Sequence, residues 1–255
     1  MSRAPSRRAE LVLALPLSRI EADGLAVPPR VLKALASADR RPAPKSLVEF
    51  LFSQFDLAAG ARPGIAALTA LADGVDTQGR DVLRLDPVHL RPDRGRLFLI
   101  DAGHFPLAGS EADAMIAALN EACLPDGATL VRGRSARRWY LLGGDPAAAS
   151  AIEPGMAGGV SVDTLEPAGA ATLAWHSALN EIQMCLHQLT VNADREAAGQ
   201  PAVNSVWLWG AGGVPAAVPP RFSTVIAGDP LAAGLGIAAG ARVLDDVRAG
   251  TLVQA

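Results

Sequence analysis

Apolar residues recur at helical spacing most clearly between residues 171 and 189, where Trp175, Leu179, Ile182, Leu186 and Leu189 fall four and three apart. That period lays them along one side of an α-helix. A polar stripe of His176, Asn180, Gln183 and His187 runs beside it. Short apolar runs bounded by turn residues predict strands at 11–15, 82–85, 97–100, 129–132, 139–142, 203–208, 225–227 and 241–244. The runs at 129–132 and 139–142 read as a pair around the turn at 133–136. Helices are expected from Pro28 and Pro29 through Ala38, from Ser46 to Phe55, over 63–73 and over 110–119. Proline suits the first helical turn. Ser46 with Glu49 fits a capping box, and Ser110 caps the fourth helix with Asp113 in its first turn. Residues 39–46 and 91–95 read as loops, and 143–170, rich in Gly, Pro and Ala, as a long excursion. Strands alternating with helices favour a layered α/β fold.

Composition narrows the class. Of 255 residues, 50% are hydrophobic and 19% charged, enough to bury a core and too little charge for a disordered chain. The formal net charge of −3 gives no global field for nucleic acid or an acidic membrane. No apolar run reaches the ~18 residues of a membrane span. The basic start followed by the apolar run 11–17 is read as a first strand, because Arg19 and Glu21 follow at once. Cys123 and Cys185 form no CxxC pair and are expected as two buried thiols of a cytoplasmic protein.

Four constellations could carry chemistry. The polar helical stripe could line a pocket or face solvent. Its His176 and His187 lie three turns, about 16 Å, apart and cannot share one metal ion. Asp101 and His104 follow a strand, where Asp-x-Gly is also ordinary turn chemistry. Gly210-Ala211-Gly212-Gly213 follows the strand at 203–208 and could offer backbone amides to an anion, or serve as a tight turn beside Trp207 and Trp209. Arginines 132, 134, 137, 138 and 195 could fork onto phosphate or carboxylate, or remain solvated.

Taken as a series, Asn180-Glu181, then Asn192-Ala193-Asp194-Arg195, then Gly199 through Asn204, then Gly210-Ala211-Gly212 and Gly234-Leu235-Gly236 with Gly240, resembles the archaeal-type cofactor-independent phosphoglycerate mutases. The likeness covers about residues 175–240 and reaches weakly to Arg137-Arg138. Asp86-Pro87-Val88-His89-Leu90, Arg138-Trp139-Tyr140, Asn180 through Met184, and Asn204 through Gly210 also resemble the bacterial RpfE-type regulatory proteins. The resemblance implies an alkaline-phosphatase-like α/β fold: a mixed sheet flanked by helices, with an inserted smaller α+β domain and a truncated core. The core would take residues 1–75 and 200–255, and the insert 76–199.

The departures shape the functional expectation. The family's first strand ends in a metal-binding Asp-Gly, where this chain has Leu15-Pro16-Leu17-Ser18. The family's later Asp/His motifs lie beyond its glycine-rich segment, and this chain ends at Ala255, shortly after that segment. Trp209 stands where the family's turn has arginine. A two-metal site needs several converging carboxylates and imidazoles. The resemblance therefore implies a metal-free, cofactor-free pseudoenzyme that binds a small phosphorylated or carboxylate anion in a regulatory role, with a protein partner as a further expectation. Its ligand residues would be Arg138, Asn180, Gln183, His187, Asn192, Arg195, Asn204, Gly210 and Gly212, with Asp86 and His89 as further candidates. Two alternatives stand beside it: an active isomerase or phosphotransferase drawing metal ligands from Asp86, His89, Asp101 and His104, and a ligand-free interaction protein.

Overall fold

The structure, a computed structural model, describes residues 46–57, 64–93, 95–125, 127–148 and 170–245 and the single positions 12, 29, 33, 36, 37, 153 and 154. The chain divides into two compact units, Met1–Phe50 and Leu51–Ala255. The expected strand at 11–15, most of the helix opened by Pro28 and Pro29, the loop before Ser46 and most of the excursion at 143–170 lie outside the described residues. Helix α1 (Leu47–Gln54) starts where the capping pattern predicts, with Ser46 Oγ accepting the Glu49 N–H at 3.1 Å.

The second unit is built on a five-stranded sheet. Strand β1 (Val82–Asp93) is its spine. It pairs antiparallel with β2 (Arg96–Asp101), β4 (Trp139–Leu142) and β5 (Ser205–Trp209), and β4 pairs antiparallel with β3 (Thr129–Arg132). Arg84 faces Tyr140 across one edge of β1 and Trp209 across the other, so β4 and β5 flank it on opposite sides. A separate parallel pair joins β6 (Thr224–Ile226) to β7 (Arg242–Leu244). The fold is thus mixed α/β, as expected, but its larger sheet is wholly antiparallel. β1, numbered within the segment expected as the insert, and β5, numbered within the segment expected as the core, are hydrogen-bonded neighbours.

Side chains alternate across this sheet and separate two cores. Val82, Arg84, Asp86 and Val88 share one face with Tyr140, Leu142, Trp207 and Trp209. Helix α2 (Ile65–Asp73) covers that face through Ile65, Ala66, Ala67 and Ala70. Leu83 and Leu85 share the other face with Leu130, Trp139, Leu141, Val206 and Leu208. Helices α3 (Gly109–Ala122) and α4 (Ala170–Gln188) cover it with Met115, Leu119, Ile182 and Leu186. Each such fully buried side chain contributes about 1.5–3 kcal/mol. The apolar stripe expected on α4 is the face that packs here: Ile182 and Leu186 are buried, and Trp175, Leu179 and Leu189 pack against the same cluster.

Two helices escaped the periodicity reading. Helix α5 (Thr190–Ala197) follows α4 directly. Helix α6 (Pro230–Ala238) opens with Asp229, whose carboxylate accepts the Leu231 and Ala232 N–H groups at 2.9 Å, and with proline in its first turn. That Asp-Pro start was a legible signal, hidden because α6 is apolar nearly all round and shows no stripe. Helix α3 begins one residue earlier than expected, after Ala108. Ser110 lies inside the helix, and the capping bond is instead Glu111 Oε2 accepting the Ala108 N–H at 2.6 Å.

Candidate functional site

A pocket of about 160 Å³ opens where β1, the α4–α5 turn and the segment leading into β5 meet. His89, His187, Asn192, Ala193, Glu196, Ala202 and Asn204 line it. Its volume is about that of five waters at about 30 Å³ each. Four of the residues singled out in the sequence, His89, His187, Asn192 and Asn204, therefore come together from three separate stretches of chain.

The frame of the pocket is made by two asparagines. The Asn192 carboxamide donates to Leu186 O at 2.8 Å and Val203 O at 2.9 Å and accepts the Val203 N–H at 2.9 Å. It thereby fastens the start of α5 to the end of α4 and to the segment leading into β5. The Asn204 carboxamide accepts the Leu90 N–H at 2.7 Å and donates to Leu90 O at 2.9 Å. It imitates a peptide group and extends the β1–β5 ladder past its last backbone pair, Val88 with Ser205. One of its amide hydrogens is left over for a ligand.

His89 sits on the face of β1 that carries Leu83 and Leu85. Its Nδ1 lies 2.8 Å from Ala202 O. A carbonyl only accepts, so Nδ1 bears the proton, and the neutral ring keeps Nε2 as an acceptor. His187 is exposed at the end of α4 and Glu196 on α5. Glu196 is the lining residue that motif reasoning missed. Recognising α5 as a helix would have found it, four positions after Asn192 on the same side.

The other expected ligands lie elsewhere, and Arg195, Arg138 and Gln183 are engaged within the protein. The Arg195 guanidinium is buried. Its Nη1 donates to both Glu111 oxygens at 2.9 and 3.0 Å, Nη2 to Pro106 O at 2.9 Å and Nε to Pro201 O at 3.0 Å. Arg138 forks onto Asp73 at 2.9 and 2.6 Å, and the Tyr140 hydroxyl donates to the same carboxylate at 2.8 Å. Burial pushes the Asp73 carboxyl up, but the Arg138 and Tyr140 bonds and the Arg138 charge together hold it below its ordinary value. Burial drives the Tyr140 phenol up to about 12. Gln183 donates to Ser205 Oγ at 3.0 Å, and Asn180 is exposed.

The glycine turn is spent on a helix end. Gly210 O accepts the Ala66 N–H at 2.9 Å and Gly213 O the Gly64 N–H at 3.0 Å, so carbonyls of the turn satisfy amides at the start of α2. Gly210 and Gly212 adopt φ of 70° and 136° to make this approach.

Asp86 is buried on the opposite face of β1 from His89, because three residues separate them along a strand. Its carboxylate accepts Arg84 Nε at 2.9 Å and Nη2 at 2.8 Å, and Trp209 Nε1 at 2.8 Å. The Arg84 guanidinium lies over the Trp209 and Tyr140 rings, 5.1 and 5.4 Å from their centroids. Burial pushes the Asp86 carboxyl up, and the Arg84 charge and the bonds from Trp209 and Arg84 oppose that rise. Asp101 and His104 pair with each other at 2.8 Å on the turn after β2. The four-residue metal set considered from the sequence is thus divided between two faces of the sheet. Among the described residues no three His, Cys, Asp or Glu side chains are grouped to hold a metal ion. Cys123 is buried and Cys185 half-buried, both in the α3–α4 core and both free thiols. Burial and the neighbouring Cys185 push the Cys123 thiol up to about 12. No described helix is long and apolar enough to cross a membrane.

No family model and no curated protein matches the chain. Among solved structures it is similar to a cofactor-independent phosphoglycerate mutase from Thermoplasma acidophilum DSM 1728, with 21% identity and a TM-score of 0.47 over 78% of this chain and 56% of that one. It is also similar to the PH0037 protein from Pyrococcus horikoshii, with 20% identity and a TM-score of 0.46 over 76% of this chain and 46% of that one. The chain spans about half the length of these two proteins.

Proposed function

We propose that this chain is a non-catalytic relative of the cofactor-independent phosphoglycerate mutases that binds a small phosphorylated or carboxylate anion in the His89–His187–Asn204 pocket and serves a regulatory role. The observation that carries this reading is the convergence of His89, His187, Asn192 and Asn204 on one cavity from β1, α4, α5 and the approach to β5. The mutase-like run of motifs between residues 175 and 240 supplies two of them, Asn192 and Asn204. The His187 ring N–H, together with the spare Asn204 amide hydrogen, supplies donors to an anion.

Metal-assisted phosphoryl transfer is the weaker reading. Two ions a few ångströms apart need ligands aimed at one point, whereas Asp86 is committed to Arg84 and Trp209 on the far face from His89. The test is a titration of the uniformly 15N-labelled protein with 3-phosphoglycerate, together with a mutase assay in added Mn2+. Saturable amide shifts at residues 89, 187 and 202–204 without formation of 2-phosphoglycerate support the proposal. Stoichiometric bound metal with turnover, or shifts confined to the Arg138 region, overturns it, and the absence of any binding favours a ligand-free interaction protein.

A further inference from the structure

The polar atoms of the pocket are unevenly divided between donors and acceptors. Asn192 offers no hydrogen, since both of its amide hydrogens are spent on Leu186 O and Val203 O. Asn204 keeps one. Beside that amide hydrogen stand the Glu196 carboxylate, which only accepts, His89, whose Nδ1–H is spent on Ala202 O, and His187, whose ring as the neutral form brings one donor and one acceptor. Among the described residues neither the Glu196 carboxylate nor the His187 ring has a protein partner. Glu196 is the one carboxylate among the described residues that line the pocket, and none of them is Lys or Arg. An anion alone would meet that charge without a fixed cation to offset it, because Arg138 and Arg195 are engaged at Asp73 and Glu111.

We propose that the natural ligand of this pocket carries a primary ammonium group beside its anionic group, with the Glu196 carboxylate as the ammonium anchor. An ammonium brings three hydrogens and a positive charge, which suits a wall of acceptors with one carboxylate. The anionic end then takes the remaining Asn204 hydrogen and an imidazole N–H. A ligand of about ten heavy atoms fits a cavity of about 160 Å³ when its charged end reaches solvent. The inference rests on the pocket being the binding site, and it adds the charge pattern of what binds there.

The test compares two probes of nearly equal shape, O-phosphoserine and 3-phosphoglycerate, which differ chiefly in an ammonium against a hydroxyl. Dissociation constants come from amide shifts of the full chain at one pH and ionic strength. Because Glu196 is exposed, the expected preference is about 3- to 5-fold for O-phosphoserine, in line with a solvent-screened ion pair. In Glu196→Gln the preference should vanish, chiefly through weaker O-phosphoserine binding, while an unchanged thermal midpoint shows that the fold is intact. As a second variant, Glu196→Asp should keep part of the preference. Equal binding of both probes to the unsubstituted protein, or a preference that survives in Glu196→Gln, overturns the ammonium assignment and leaves the pocket standing. Failure of both probes to bind overturns the pocket and the assignment together.

Discussion

At the scale of single residues, Asp86 shows how a charge is held inside the sheet. It is buried with Arg84, and the pair is enclosed by Trp209 and Tyr140. Removing one member of a buried pair strands the other charge, which typically costs about 3–5 kcal/mol. Asp86→Ala should therefore lower the urea midpoint severely, whereas Arg84→Met with Asp86→Leu should cost far less, because two apolar groups leave no charge stranded. If the single and double variants lose equal stability, the pair is not the unit described here. Asp73 makes a pH prediction. Its folded carboxyl is held below its ordinary value, so the stability it adds is present above the unfolded value near 3.8 and is lost as pH falls through the folded value. At neutral pH Asp73→Asn should be less stable than the parent by about 1.5–3 kcal/mol, the range for hydrogen bonds to a charged group. The two proteins should approach each other in stability as unfolding is followed from pH 5 down to pH 2.

At the scale of elements, legibility followed amphipathicity. Helix α4 was readable because its buried face repeats every three or four residues, and the β3–β4 pair because two apolar runs flank a turn. Helix α6 lacks a polar face, and α5 is too short for its stripe to stand out. The glycines Gly210 to Gly213 were legible as a turn, but not as the partner of a helix start 145 residues earlier, because nothing local encodes that contact. Such contacts come from close backbone approach, which sequence periodicity does not register. A Cβ on Gly64 would lie 1.8 Å from Gly212 O, and one on Gly234 would lie 2.0 Å from Leu68 O. Neither neighbour is a flexible side-chain tip, so α2 would have to move away from the glycine turn or from α6. Gly64→Ala and Gly234→Ala should each destabilise by at least the 1–3 kcal/mol typical of overpacking. Thermal unfolding of the two variants checks this, and an unchanged midpoint in either would mean that its close approach is absent.

At the scale of the whole molecule, the arginine that looked most like an anion ligand is a fastening point. Arg195 joins α5 to Glu111 at the start of α3, to Pro106 O before it and to Pro201 O ahead of β5, while its guanidinium lies 5.5 Å from the centre of the Phe105 ring. These segments are far apart in sequence, and the pocket frame at Asn192 sits one turn of helix away. Glu111 also holds the Ala108 N–H, so the same carboxylate closes the start of α3 and anchors α5. A planar fork can serve all these acceptors at once, whereas a lysine ammonium is a single point with three hydrogens. Arg195→Lys should therefore keep the charge yet lose most of the fastening. The Arg195 side chain is buried, whereas Glu111 and Pro201 are half-buried and Pro106 exposed. Losing the fork should cost about 1.5–3 kcal/mol, the range for hydrogen bonds to a charged group, and the variant should unfold several degrees lower than the parent. A ligand-binding arginine behaves differently: its removal weakens anion binding and leaves the stability of the unliganded protein nearly untouched. Thermal unfolding without ligand, set beside a 3-phosphoglycerate titration of the same Arg195→Lys protein below its melting range, separates the two roles. Loss of intrinsic stability with the pocket's amide shifts retained fits the fastening role, and the opposite pattern would return Arg195 to the ligand.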